Sequence, residues 1–172
     1  MFYIYDDRML KHRDNNYHDA EGKIRVDLPE ERGDDFVSPE VPLRIKNIFN
    51  FLSSYPAEAP LLSKMVKVEI EDKMWEQALF KVHPESLLAR IEGACAKLDE
   101  GQTSYTLDED NYECQDTLEA AKLSSKACLT AVDKVLSGHH ERGYCIVRPP
   151  GHHAHSEYIH GFCFFNNVAV AA

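Results

Sequence analysis

No apolar stretch of the 172-residue chain approaches the roughly 18 residues that cross a membrane. The opening Met1-Phe2-Tyr3-Ile4-Tyr5-Asp6-Asp7 has neither the basic start nor the long apolar middle of a signal peptide. No membrane partner is expected, and the chain reads as soluble and intracellular. The five cysteines (Cys95, Cys114, Cys128, Cys145, Cys163) are odd in number and include no CxxC pair. That speaks against a disulfide framework or a zinc ribbon and for buried free thiols in a reducing compartment. Basic residues are the minority: 19 Lys and Arg stand against 29 Asp and Glu, a net charge of −10. A phosphate backbone is bound mainly through Lys and Arg, so direct nucleic-acid binding is disfavoured, and a lysine-rich tail suits this balance better. There is no internal repeat.

What is present suits a single globular domain, since 44% of the side chains are apolar and can bury a sizeable core. Phe2 to Tyr5 reads as a short buried strand, Met65 to Ile70 alternates like a half-exposed one, and Tyr144 to Val147 is a third, closed by Pro149-Pro150. Ile45, Ile48, Phe49 and Leu52 follow helical spacing, with Ser38 as N-cap and Pro39 at the first helical position. Leu87, Leu88, Ile91, Cys95 and Leu98 mark a second helix, ending before Gly101. Leu118 to Leu136 marks a longer third one, which Gly138 terminates. Strands alternating with helices predict an α/β fold with a mostly parallel sheet. Residues 13–37 read as a charged inserted loop, and Gly101 to Asp116 as a second surface segment. The acidic groups Asp108, Glu109, Asp110 and Glu113 there form either a solvated face or a rim that attracts a cation.

Six of the nine histidines fall between His139 and His160. His139 and His140 follow a helix end, where a cation is favoured, and take a structural reading. His152 and His153 follow the third strand through Arg148-Pro149-Pro150-Gly151, the place where open α/β sheets collect ligands. Neighbours on an extended chain point in opposite directions, so spacing gives a metal little support. A positioned imidazole pair can instead divide proton transfer and charge stabilisation. The alternative is a loop held by hydrogen-bonded histidines.

The run Arg148-Pro149-Pro150-Gly151-His152-His153-Ala154, followed by Gly161-Phe162-Cys163-Phe164-Phe165-Asn166, closely resembles the histone deacetylase family, in particular its class II branch. Tyr5 to His12, Pro39 to Ile45, His83-Pro84-Glu85 and Leu107 to Tyr112 resemble further family segments in family order. The resemblance implies a three-layer α/β fold of the arginase/deacetylase type, incomplete in this chain. Residues 1–172 would be the N-terminal portion of the catalytic domain, with 13–37 as the insertion.

It also implies zinc-dependent hydrolysis of acetyl-lysine in histones or other proteins. By resemblance, His153 would be general base and then acid, and His152 its electrostatic partner. Gly161 would offer its carbonyl to the substrate amide, Phe162 would wall the lysine tube, and Asp110 would be the rim carboxylate. Arg44 would line an acetate passage behind the metal; otherwise it is an exposed helix charge. Cys163 would pack under the site, and at least one of Phe164 and Phe165 belongs to the core. The expected cofactor is Zn2+, but the family's metal ligands, an Asp-x-His element and a later Asp, do not occur before Ala172. Acetylated histone tails or other acetyl-lysine proteins are the expected partners, with corepressor-type proteins besides, in the nucleus or the cytoplasm. Two other functions stand beside this one: an inactive fragment serving as a protein-interaction module, and a deacetylase of acetyl-polyamine.

Overall fold

In the computed structural model, described for residues 1–13, 39–98, 105–108 and 110–172, a short parallel sheet carries helices on both faces. β1 (Phe2–Ile4) is central, with β2 (Val66–Lys67) on one side and β5 (Gly143–Cys145) on the other. Both pairings are parallel, Phe2 standing opposite Val66 and Gly143. The period of two in β1 sorts its side chains between the layers. Phe2 and Ile4 pack on Ala127 of α4 (Thr117–Leu136). Tyr3 and Tyr5 meet Phe49 of α1 (Leu43–Ser54), Tyr5 stacking at 4.1 Å. These are the helix, sheet and helix layers expected of an α/β fold.

The second strand is shorter than the alternation predicts. Only Val66 and Lys67 pair fully, and Val68 adds one bond to the Tyr3 carbonyl at 2.9 Å. The third is offset by one residue, with Ile146 N–H still reaching the Ile4 carbonyl at 3.0 Å. α1 begins at Leu43, not at Pro39, and Ser38 lies outside the described residues. Pro42 occupies the capping position, where its missing N–H is not needed. The segment before it is drawn inward by Glu40, which is buried.

α3 (Glu85–Ala96) and α4 run close to the predicted ranges, and the end of α4 is closed by Gly138 N–H on the Val135 carbonyl at 3.0 Å. His139 accepts or donates at Ser137 Oγ, 2.7 Å away, and His140 lies against the Phe2 ring, so both serve the helix end. α2 (Trp75–Val82) has no counterpart in the sequence analysis, although Trp75, Ala78, Leu79 and Val82 have helical spacing. With Leu87 and Ile91 of α3, Phe164, Phe165 and Val170 of α5 (Asn167–Ala171), they form the largest core cluster.

The surface reading of 101–116 is corrected in part. β3 (Tyr105–Asp108) and β4 (Asn111–Glu113) form an antiparallel hairpin, and Asn111, Tyr112 and Glu113 are all buried. The Tyr112 ring stacks on His12 at 4.8 Å, a partner from the opposite end of the chain, which holds this acidic segment in the interior. The inserted loop over 13–37 falls outside the described residues but for Arg13, as does Glu109. The five cysteines are free, with Cys95, Cys114 and Cys163 buried and Cys128 and Cys145 half-buried.

Candidate active site

Beyond β5 the chain enters the interior as Arg148, which is only 1% exposed. Its Nε donates to Glu40 Oε1 at 2.9 Å and its Nη2 to Oε2 at 2.5 Å, a two-pronged pair. Nη1 donates to the Met9 carbonyl at 2.8 Å and to that of His12. Tyr112 Oη donates to the Glu40 carbonyl at 2.6 Å. This one guanidinium thus ties the first turn, the start of α1, the hairpin and the end of β5 together. His12 sits above it, its Nδ1 2.8 Å from Thr117 Oγ1, and burial together with the Arg148 cation holds its pKa well below the usual histidine value. A neutral His12 therefore neighbours the ion pair.

Pro149 and Gly151 are held next. Ser124 of α4 donates to the Pro149 carbonyl at 2.8 Å, and Asn167 Nδ2 donates to the same serine oxygen at 2.8 Å. A Cβ on Gly151 would lie 2.5 Å from both Asn167 N and the Phe165 carbonyl, so only glycine lets the two segments approach. Ala154 N–H returns to the Gly151 carbonyl at 3.2 Å, which makes His152 and His153 the central residues of a β-turn. The turn overturns the expectation of opposed neighbours on an extended chain. Both imidazoles are exposed and lie side by side, centroids 4.3 Å apart.

A second turn faces the first. His160 and Cys163 exchange two backbone hydrogen bonds, 3.2 and 3.0 Å, around Gly161 (φ 52°) and Phe162 (φ 66°). Two left-handed central residues characterise the tightest hairpin turns, and Phe162 pays strain for that conformation. Asn111 holds it there: Oδ1 accepts from Phe162 N–H at 3.0 Å and Nδ2 donates to the Cys163 carbonyl at 3.3 Å. The turns touch, since a Cβ on Gly161 would lie 3.0 to 3.1 Å from His153 side-chain atoms. Cys163 is buried under the turn, its thiol 3.3 Å from the Gly161 carbonyl, and burial raises its pKa. Phe164 and Phe165 both belong to the core.

The structure therefore brings His152, His153, Gly161 and Phe162 together. Asp110 lies at the hairpin turn, half-buried, beside the Asn111 that grips the Phe162 segment. Arg44 does not join them: it is exposed on α1, because the adjacent Ile45 takes the core-facing position, and it is the exposed helix charge of the alternative reading. The buried arginine is Arg148, which the sequence motif contained without revealing its task.

His83 is another residue that sequence reasoning left without a role. Its Nε2 accepts from Asn166 N–H at 2.9 Å and its Nδ1 donates to the Ser156 carbonyl at 3.0 Å, which assigns the Nδ1–H tautomer. Burial depresses its pKa against the opposing pull of backbone hydrogen bonds. His155 stacks on Tyr158 at 4.2 Å. Among the described residues no three His, Cys, Asp or Glu side chains come together in a way that could hold a metal ion.

Residues 38–172 match the family model described as the histone deacetylase domain. The chain is similar to histone deacetylase 5 of Arabidopsis thaliana, 32% identical over 171 residues that cover 98% of this chain and 22% of that one. It is similar to polyamine deacetylase HDAC10 of Rattus norvegicus, 49% identical over 61 residues, 36% of this chain and 10% of that one. In three dimensions it resembles the crystal structure of the HDA15 HD domain with a TM-score of 0.76 at 25% identity, over 99% of this chain and 41% of that one. The chain spans less than half of each of these proteins.

Proposed function

The chain belongs to the histone deacetylase family, and from that premise we propose that it supplies the proton-transfer pair and one wall of the substrate tube for hydrolysis of an acetyl-lysine amide. The observation that carries this reading is the contact between two turns, one presenting His152 and His153, the other Gly161 and Phe162. Amide hydrolysis needs a proton removed from the attacking water and another delivered to the leaving nitrogen. An imidazole can accept and donate a proton at the same nitrogen, and His153, packed on Gly161, takes this role. His152, 4.3 Å away, shares the charge that builds up on the pair. The Gly161 carbonyl accepts the substrate amide N–H, and the Phe162 ring lies along the lysine methylenes.

Zinc is the cofactor that the resemblance implies, and the described residues do not offer a ligand set for it. The chain's own share is proton handling and substrate placement. Acetylated histone tails or other acetyl-lysine proteins are the proposed substrates, in keeping with a net charge of −10 against lysine-rich partners. A second reading, acetyl-polyamine, is favoured by the 49% identity over 61 residues to a polyamine deacetylase.

The test is acetate release by the full protein from an acetyl-lysine peptide and from an acetylated polyamine. His153→Ala is expected to lower the rate by about 10²- to 10⁴-fold, with the fold judged by circular dichroism. Equal rates for wild type and variant would favour the interaction module without catalysis, and a preference for the polyamine would select the second reading.

A further inference from the structure

The loop that joins the two turns of the site leaves and returns at one buried side chain, His83. The backbone of His83 lies at a helix junction: its N–H closes α2 on the Leu79 carbonyl at 2.8 Å, and Pro84 directly after it stands at the head of α3. The ring is 1% exposed and tilts against Phe165 of the core, centroids 5.8 Å apart. From that fixed place it reaches both feet of the loop. Nδ1 donates to the Ser156 carbonyl at 3.0 Å on the outgoing side, and Nε2 accepts from Asn166 N–H at 2.9 Å on the returning side. Asn166 completes the circuit, because its Nδ2 donates to the Ala154 carbonyl at 3.2 Å. Its Oδ1 accepts from Ala169 N–H at 3.1 Å, which ties the returning foot to α5 as well. Ala154 follows His153 directly, and Gly161 and Phe162 lie between the two feet. We propose that His83 is a positioning residue for the reaction: without touching substrate, it closes the base of this loop and so holds the His152–His153 turn against the Gly161–Phe162 turn.

The role rests on the acetyl-lysine reading above, and the clamp works with one form of the ring. A backbone N–H can only donate and a carbonyl can only accept, so the ring must offer a bare Nε2 and a protonated Nδ1. Burial, which lowers the His83 pKa, favours that neutral form. A hydrocarbon ring of similar size offers neither a donor nor an acceptor, whereas a side-chain amide offers both. Phenylalanine therefore removes the clamp and keeps the bulk, and glutamine is the conservative replacement. The contact between His153 and Gly161 is close, with a Cβ on Gly161 only 3.0 to 3.1 Å from His153 side-chain atoms. A displacement of about 1 Å between reacting groups can cost about 10²-fold in rate, so a loop released at both feet acts on the chemistry more than on binding.

The test uses the full protein. Nitrogen-15 spectra of the histidine rings in the wild type should show His83 with its proton on Nδ1 at neutral pH, the signal being assigned by its loss in His83→Gln. In acetate release, His83→Phe should lower kcat per folded molecule by about 10- to 100-fold with KM changed less than about threefold, and His83→Gln should recover most of that loss. Hydrogen exchange in His83→Phe should quicken in residues 154–166 and keep its wild-type rate in α4. A proton on Nε2 overturns the proposal, and so does a folded His83→Phe with kcat within about twofold of wild type. Exchange that quickens equally in α4 overturns it too, since His83 would then serve stability alone. The wild-type ring spectrum decides even where His83→Phe fails to fold. Absence of acetate release by the wild type from either substrate refutes the acetyl-lysine reading and not the clamp, which the ring spectrum and the exchange pattern decide on their own.

Discussion

Arg148 shows how much one residue can carry. Its buried guanidinium hydrogen-bonds to Glu40, Met9, His12 and Tyr112, and Glu40 returns the charge. Removing one partner of such a pair leaves the other charge buried, which typically costs about 3–5 kcal/mol, whereas an apolar replacement of both is far better tolerated. Glu40→Gln should therefore lower the unfolding free energy by about 3–5 kcal/mol in a urea titration, and adding Arg148→Met should recover part of the loss. A loss below about 1 kcal/mol for the single variant would mean that the carbonyls of Met9 and His12 suffice to hold the cation. The sequence motif displayed Arg148 next to the two prolines, but nothing local signals that its partner is Glu40. That pairing joins two segments far apart in the chain, and only folding brings them into register.

At the scale of elements, the legible ones were those with a long period. α3 and α4 repeat apolar residues over three turns or more, and such a stripe has few other uses. α2 spans only two turns, too short for its pattern to stand above its neighbours, and the three strands of the parallel sheet were legible in place but not in extent, since each is three residues or fewer. The β3–β4 hairpin was illegible for another reason: its acidic residues look like surface, and its burial is imposed by His12 and the Phe162 turn. Asn111 is the link between that hairpin and the site. Asn111→Ala should strip the Phe162 N–H of its partner, leave the Cys163 carbonyl with the His160 N–H alone, and destabilise the fold by about 1–3 kcal/mol. Hydrogen exchange would read it locally, as faster exchange of the Phe162 amide. Unchanged protection there would mean that the His160–Cys163 bonds hold the turn alone.

For the whole molecule, pH dependence follows from two buried histidines with lowered pKa, His12 and His83. Burial is the first cause of the low pKa in each case. An unfolded histidine takes up a proton near pH 6.5, while the folded ones resist until lower pH. Below about 6.5 the unfolded state therefore binds more protons, and stability must fall as pH falls through that window. The slope is up to about 1.4 kcal/mol per pH unit for each histidine. Thermal unfolding should show a midpoint that drops on acidification from pH 7 to 5, and His83→Gln, which does not titrate, should make the drop shallower. A midpoint that is level over this range would refute the neutral assignment.

By itself the sequence determined the α/β class, the two long helices and the family, because these rest on local periodicity and on unusual residue types at fixed spacing. Tertiary structure alone decided that His152 and His153 lie side by side, since a β-turn and not a strand carries them. It alone left Arg44 exposed, buried Arg148 and made Asn111 the clamp on Phe162. Each of these depends on a partner distant in the chain, and the energy of a buried hydrogen bond or ion pair exists only once both partners have left water together.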